Sequence, residues 1–129
     1  ICCISRFLGG KGDIHALLDH LDHVVKKFGD EHAAIGTDIA YTSRFEKEER
    51  AKIMKRPDGS SPLGGAGDRW EHLWPKDEYQ TTIEAEQSIA WTNWPLYTLG
   101  LIMRGHSDET IRKILGGNVM RVLRANAVA

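Results

Sequence analysis

The chain has 129 residues, with 17 Lys and Arg against 18 Asp and Glu and a formal net charge of -1. That length supports one hydrophobic core and not two. A nucleic-acid binder carries a basic stripe to neutralise phosphates; here basic and acidic residues are balanced and dispersed, so composition argues against nucleic acid as a partner. The longest apolar runs, such as Trp94 to Met103, fall well short of the roughly 20 residues that a membrane span requires.

The first segment, Ile1-Cys2-Cys3-Ile4, reads as the middle of a buried strand. It has no initiator Met and no leader-like apolar run, so the expectation is a piece of a longer chain, with a processed terminus as the other reading. Cys2 and Cys3 are adjacent, which provides neither a disulfide framework nor a Cys-x-x-Cys metal pair. Gly9-Gly10-Lys11-Gly12 breaks the chain; it lacks the ending of a P-loop and reads as a turn. Asp13 is a suitable N-cap. Ile14, Leu17, Leu18, Leu21, Val24, Val25 and Phe28 then recur at helical spacing, and Gly29 supplies the stop.

The short apolar run Ala33-Ala34-Ile35-Gly36-Thr37 follows and reads as a second strand ending on Asp38. Strand, crossover helix, strand over residues 1–38 predicts a βαβ unit with a parallel pair. A carboxylate at the exposed end of a covered parallel strand is either a catalytic or metal-contacting group, or a cap for the next loop.

Residues 39–80 form a long excursion, with a charged helix candidate from Glu46 to Lys55 and turn chemistry at Pro57–Pro62 and Gly64–Gly67. Trp70, Trp74 and Pro75 within it either pin the loop to the body of the domain or touch a substrate. Residues 81–129 read as helical. One helix is expected over Glu78–Ala90 and a second from an Asn93 cap to Arg104. A third opens on a Ser107 cap with Asp108 and Glu109 in its first turn, and a last one opens at Asn118 after Gly116-Gly117.

The blocks Asp19-His20-Leu21-Asp22-His23, the Gly36-Thr37-Asp38 end, Arg104 to Glu109, and Ile114-Leu115-Gly116-Gly117-Asn118-Val119-Met120-Arg121-Val122-Leu123 occur in that order. Together they resemble the C-terminal part of the membrane (renal-type) dipeptidase family. The resemblance covers both ends of the chain and is weak in the middle.

It implies an α/β fold, the C-terminal portion of a (β/α)8 TIM barrel contributing the last two strands plus helices, with a long loop insertion after the last strand. A whole barrel takes roughly 250 residues, so the rest would come from earlier in the same polypeptide. It also implies a metallodipeptidase with two zinc ions as cofactors, whose ligands would lie upstream of Ile1, none being assigned within this chain. The expected partners are a dipeptide substrate and the missing N-terminal part, with a homodimer allowed.

Asp38 maps onto the family's catalytic aspartate, which holds the metal-bridging water and moves its proton. Ile39-Ala40-Tyr41 stands where many members have Phe-Asp-Gly, which changes the loop chemistry. Arg6, Phe7 and Tyr41 are the expected substrate-binding residues; Arg6 either pairs with the substrate carboxylate or bridges to a neighbouring loop. His15, His20 and His23, with Asp19 and Asp22, look like a metal box. They lie on the crossover helix, where hydrogen-bonding or surface histidines are the competing reading, and His72 and His106 are isolated. A non-catalytic interaction module, or a metallohydrolase for another amide or a lactone, is the alternative function.

Overall fold

The computed structural model describes residues 1–38, 48, 51–52, 57 and 79–127. The chain divides into two compact units, one of Ile1–Ile39 with Gln80–Ala129 and the other of Ala40–Tyr79. Nearly all of the second unit lies outside the described residues, and with it the expectations for Tyr41, the Glu46 to Lys55 helix, Trp70, His72, Trp74 and Pro75.

Within the first unit the elements are helical: α1 (Ser5–Leu8), α2 (Ile14–Phe28), a 3-10 turn (Asp30–His32), α3 (Ile83–Ser88), α4 (Trp94–Met103), α5 (Asp108–Arg112), a wide turn (Lys113–Gly117) and α6 (Asn118–Asn126). The caps explain several of these limits. Asp13 accepts from the His15 and Ala16 amides at the start of α2, Thr82 from Ala85 at α3, and Ser107 from Thr110 at α5. Gly9, Gly10 and Gly12 all have positive φ, as the tight turn between α1 and α2 requires, and Gly29 ends α2 at φ 100°. Pro95 stands in the first turn of α4, where its missing N–H costs nothing.

The expected βαβ unit does not form. Among the described residues there is no strand, and those residues do not form a piece of an α/β barrel. The two segments taken for strands are extended neighbours running the same way. The Ile1 ammonium donates to the Ala34 carbonyl at 2.7 Å, and Gly36 N–H to the Ile1 carbonyl at 2.9 Å. A regular parallel ladder would next join Cys3 N–H to the Gly36 carbonyl. It joins the Thr37 carbonyl at 3.2 Å instead, so the ladder breaks after one step. Beyond it the chain coils into α1, and the Ile35 amide is taken by the Ile114 carbonyl of the wide turn rather than by another strand.

The core is built on the apolar stripe of α2. Leu17, Leu18 and Leu21 are buried with Tyr97 and Leu101 of α4, Ile111 of α5 and Ile114 of the wide turn, and Cys3, Leu8, Ala33, Ile35 and Ile89 close the cluster. α2 and α4 approach closely at Gly100, where an added Cβ would lie 2.6 Å from a Leu18 methyl. The Tyr97 hydroxyl donates to the Ile89 carbonyl at 2.6 Å, with the Ala90 carbonyl 2.8 Å away, and so anchors the turn before α4 to that helix.

Candidate functional site

Asp38 directly follows the extended segment of residues 33–37, and its carboxylate-bearing side chain is exposed. Its φ of 52° makes it the only non-glycine with positive φ among the described residues. Left-handed backbone costs an ordinary L-residue roughly 1–2 kcal/mol, and Asp tolerates it better than most because its short side chain bonds locally. Such outliers persist where the surroundings fix them, and they concentrate at functional sites.

The surroundings do fix this segment. Ile1 and Cys3 hold Ala34, Gly36 and Thr37 from one side, as described above. From the other, Asn118 donates its side-chain amide to the Asp30 carbonyl at 2.7 Å and to the Ala33 carbonyl at 2.8 Å. Asn118 is only 6 % exposed. As the first residue of α6, after Gly117 at the N-cap, it spends both amide hydrogens on the chain leading to Asp38.

Of the expected substrate-binding residues, Arg6 and Phe7 lie on α1, Arg6 half-buried and Phe7 exposed. Because Cys3 is joined to Thr37 and both segments run the same way, α1 and Asp38 leave the pair at the same end. Tyr41 lies outside the described residues. Ser5, the first residue of α1, has a buried hydroxyl without a hydrogen-bond partner among the described residues.

The histidines of α2 do not converge. His20 Nε2 sits 3.0 Å from the Leu8 carbonyl, while His15 and His23 are exposed. Asp19 and Asp22 are instead committed to Arg104, whose Nη1 lies 2.6 Å from Asp19 Oδ1 and 2.6 Å from Asp22 Oδ2. The other Asp22 oxygen is 2.7 Å from His106 Nε2, and Arg104 Nη2 donates to the His15 carbonyl at 3.2 Å. Burial acts to raise the Asp22 pKa, but hydrogen bonds from Arg104 and His106 outweigh it and hold the carboxyl below the ordinary value.

Sequence reasoning treated His106 as isolated and gave Asp22 no partner, because the contacts span more than 80 positions. Nothing local signals a pairing of that range. The same holds for Asn118, which is 85 positions from Ala33.

Among the described residues no group of three or more His, Cys, Asp or Glu side chains is arranged to hold a metal ion. They therefore do not fit a binuclear zinc centre, which needs several imidazole and carboxylate ligands at once. No helix among them is long and apolar enough to cross a membrane. No family model, curated protein or solved structure matches the chain.

Proposed function

We propose that the polypeptide carrying this chain hydrolyses the peptide bond of dipeptides, with Asp38 as the residue that orients the attacking water and moves its proton. The reading starts from the dipeptidase-like blocks of the sequence. The observation that carries it is the conformation of Asp38: an exposed carboxylate, in left-handed backbone, at the end of a segment held from both sides. An anionic side chain can accept a proton from water and later return it to the leaving amine, and general acid–base groups of this kind contribute typically about 10²–10⁴-fold to rate.

Zinc enters this proposal only as the source of an activated water in the resembling dipeptidases. Its ligands are assigned to residues other than those described, and the role given to Asp38 does not depend on a barrel. Arg6 and Phe7, at the same end of the paired segments, are the substrate-side candidates, and Tyr41 joins them on the resemblance alone. A panel of dipeptides offered to the complete polypeptide tests the proposal: turnover of at least one is expected, and no cleavage of any would contradict it. Cleavage of another amide or a lactone in place of dipeptides would keep the chemistry and change the substrate.

A second reading, a non-catalytic interaction module, has its own support. α4 carries no charged residue, and Trp94, Leu96, Leu99, Ile102 and Met103 on it are exposed, as are Val119, Met120, Val122 and Leu123 on α6. Apolar surface on that scale is usually covered by a partner or by other parts of the same protein. A homodimer is one such cover. Sedimentation of the 129-residue chain over a range of concentrations distinguishes self-association, which this reading expects, from a monomer.

A further inference from the structure

We infer that Asn118 is the positioning residue that sets the place of Asp38. The inference extends the proposed role of Asp38 and, in its functional part, rests on it.

Asn118 begins α6, directly after the wide turn that carries Ile114. Its side chain is buried, and a buried primary amide must place both of its N–H donors. It directs them to the carbonyls of Asp30 and Ala33, at 2.7 and 2.8 Å, so a single side chain spans the 3-10 turn and enters the extended segment at its first residue. Two positions further on, the Ile35 amide donates to the Ile114 carbonyl at 3.4 Å. The start of α6 and the turn before it thus grip residues 30–35 along one edge.

Ile1 and Cys3 grip residues 34–37 along the other edge. Asp38 is the next residue, and its left-handed backbone is the conformation in which the segment emerges from this double grip. Of the two holds, Asn118 is the one that takes the entry point of the segment, at 2.8 Å, and it directly follows the wide turn, which is seated on the core through Ile114. No local need of α6 explains an asparagine here, since Gly117 and not Asn118 stands at its N-cap. Ser has too short a reach and Asp no donors, whereas Asn has two on one planar group.

The consequence concerns rate rather than binding. A shift of about 1 Å at a reacting group can cost on the order of 100-fold, so loosening the entry of the segment is expected to lower kcat and leave KM nearly unchanged. The complete polypeptide is assayed for dipeptide hydrolysis as wild type, Asn118→Ala, Asp38→Asn and the double variant. Leu115→Ala, which removes apolar contact with the core but keeps the Asn118 amide, serves as the control for lost packing. In Asn118→Ala, kcat is expected to fall about 10- to 100-fold, with KM within about twofold. In the Asp38→Asn background the same change is expected to add almost nothing, because residues that act as a unit are non-additive. A loss matched by Leu115→Ala, or a loss that multiplies with that of Asp38→Asn, overturns the inference.

Amide hydrogen exchange separates this claim from the functional reading. If the wild-type polypeptide cleaves no dipeptide, the functional reading fails, and exchange at Gly36, Thr37 and Asp38 alone decides whether Asn118 sets the place of Asp38. Exchange there at least about tenfold faster in Asn118→Ala than in Leu115→Ala supports it, and equal exchange overturns it. Should Asn118→Ala fail to fold, Asn118→Ser, whose hydroxyl is too short to reach either carbonyl, is read by the same criteria.

Discussion

Arg104 Nη1 stands 2.6 Å from Asp22 Oδ2, and this pair ties the end of α4 to the middle of α2 across 82 positions of sequence. The same guanidinium reaches Asp19 and the His15 carbonyl, and His106 takes the second Asp22 oxygen. Arg104 follows the last residue of α4 and His106 precedes the Ser107 cap of α5, so one carboxylate on α2 fixes the corner between two helices.

Removing that carboxylate is the first expectation. Asp22→Asn is expected to lower stability by about 1.5–3 kcal/mol, the range for hydrogen bonds to charged groups in partly buried settings. Urea unfolding at neutral pH measures it, and a change under about 0.5 kcal/mol would place Asp22 with ordinary surface positions.

The pH dependence follows from the same group. The folded pKa of Asp22 lies below its ordinary value of 3.8, so the stabilisation is present above that value and is lost as pH falls through the lower folded value. Asp30, held below its ordinary value by hydrogen bonds from Lys113 and Thr110, acts in the same direction. Wild type is expected to lose stability below about pH 4, with a shallower acid limb in Asp22→Asn. Melting temperatures from pH 2.5 to 6 check this; parallel acid limbs would contradict it.

Tyr97 provides a test inside the core. Its hydroxyl donates to the Ile89 carbonyl, with the Ala90 carbonyl 2.8 Å away and Cys3 Sγ 3.6 Å away, and burial pushes the phenol pKa up. Tyr97→Phe leaves the Ile89 carbonyl short of this donor and is expected to cost about 1–3 kcal/mol. Leu21→Ala, at a fully buried position on α2, is expected to cost about 2–5 kcal/mol. Thermal or denaturant unfolding of both variants ranks the two effects.

The histidine-rich stretch of α2 gives a ligand-binding expectation. With Asp19 and Asp22 engaged by Arg104, and with His15 and His23 exposed and His20 beside the Leu8 carbonyl, the 129-residue chain is expected to bind no stoichiometric zinc. Equilibrium dialysis measures this directly. A tight one-to-one complex would show that the stretch assembles a site when metal is supplied.

Much of the helical frame was legible because its signals are local. The 3.6-residue periodicity of α2, the Asp13 and Ser107 caps and the Gly29 stop all act within a few residues of where they are read. The predicted strands failed for the opposite reason. Ala33-Ala34-Ile35 is apolar enough for a covered strand, but pairing depends on a neighbour, and the Cys3–Thr37 bond falls out of step with the ladder. For the candidate site, Asp38 was legible as the end of that run. Its left-handed backbone, the Asn118 grip and the network joining Arg104, Asp22 and His106 were not, since each arises from chain segments brought together only by folding.

In the proposed reaction Asp38 handles the water that attacks the substrate. Asp38→Asn tests it most directly, because Asn also accepts left-handed backbone and has nearly the same shape, so the change removes the charge and the proton-transfer capacity while sparing the fold. The measurement is kcat for dipeptide hydrolysis by the complete polypeptide, alongside its melting temperature and zinc content. A fall of about 10²–10⁴-fold in kcat is expected, with melting and metal content unchanged. Wild-type turnover by Asp38→Asn would contradict it.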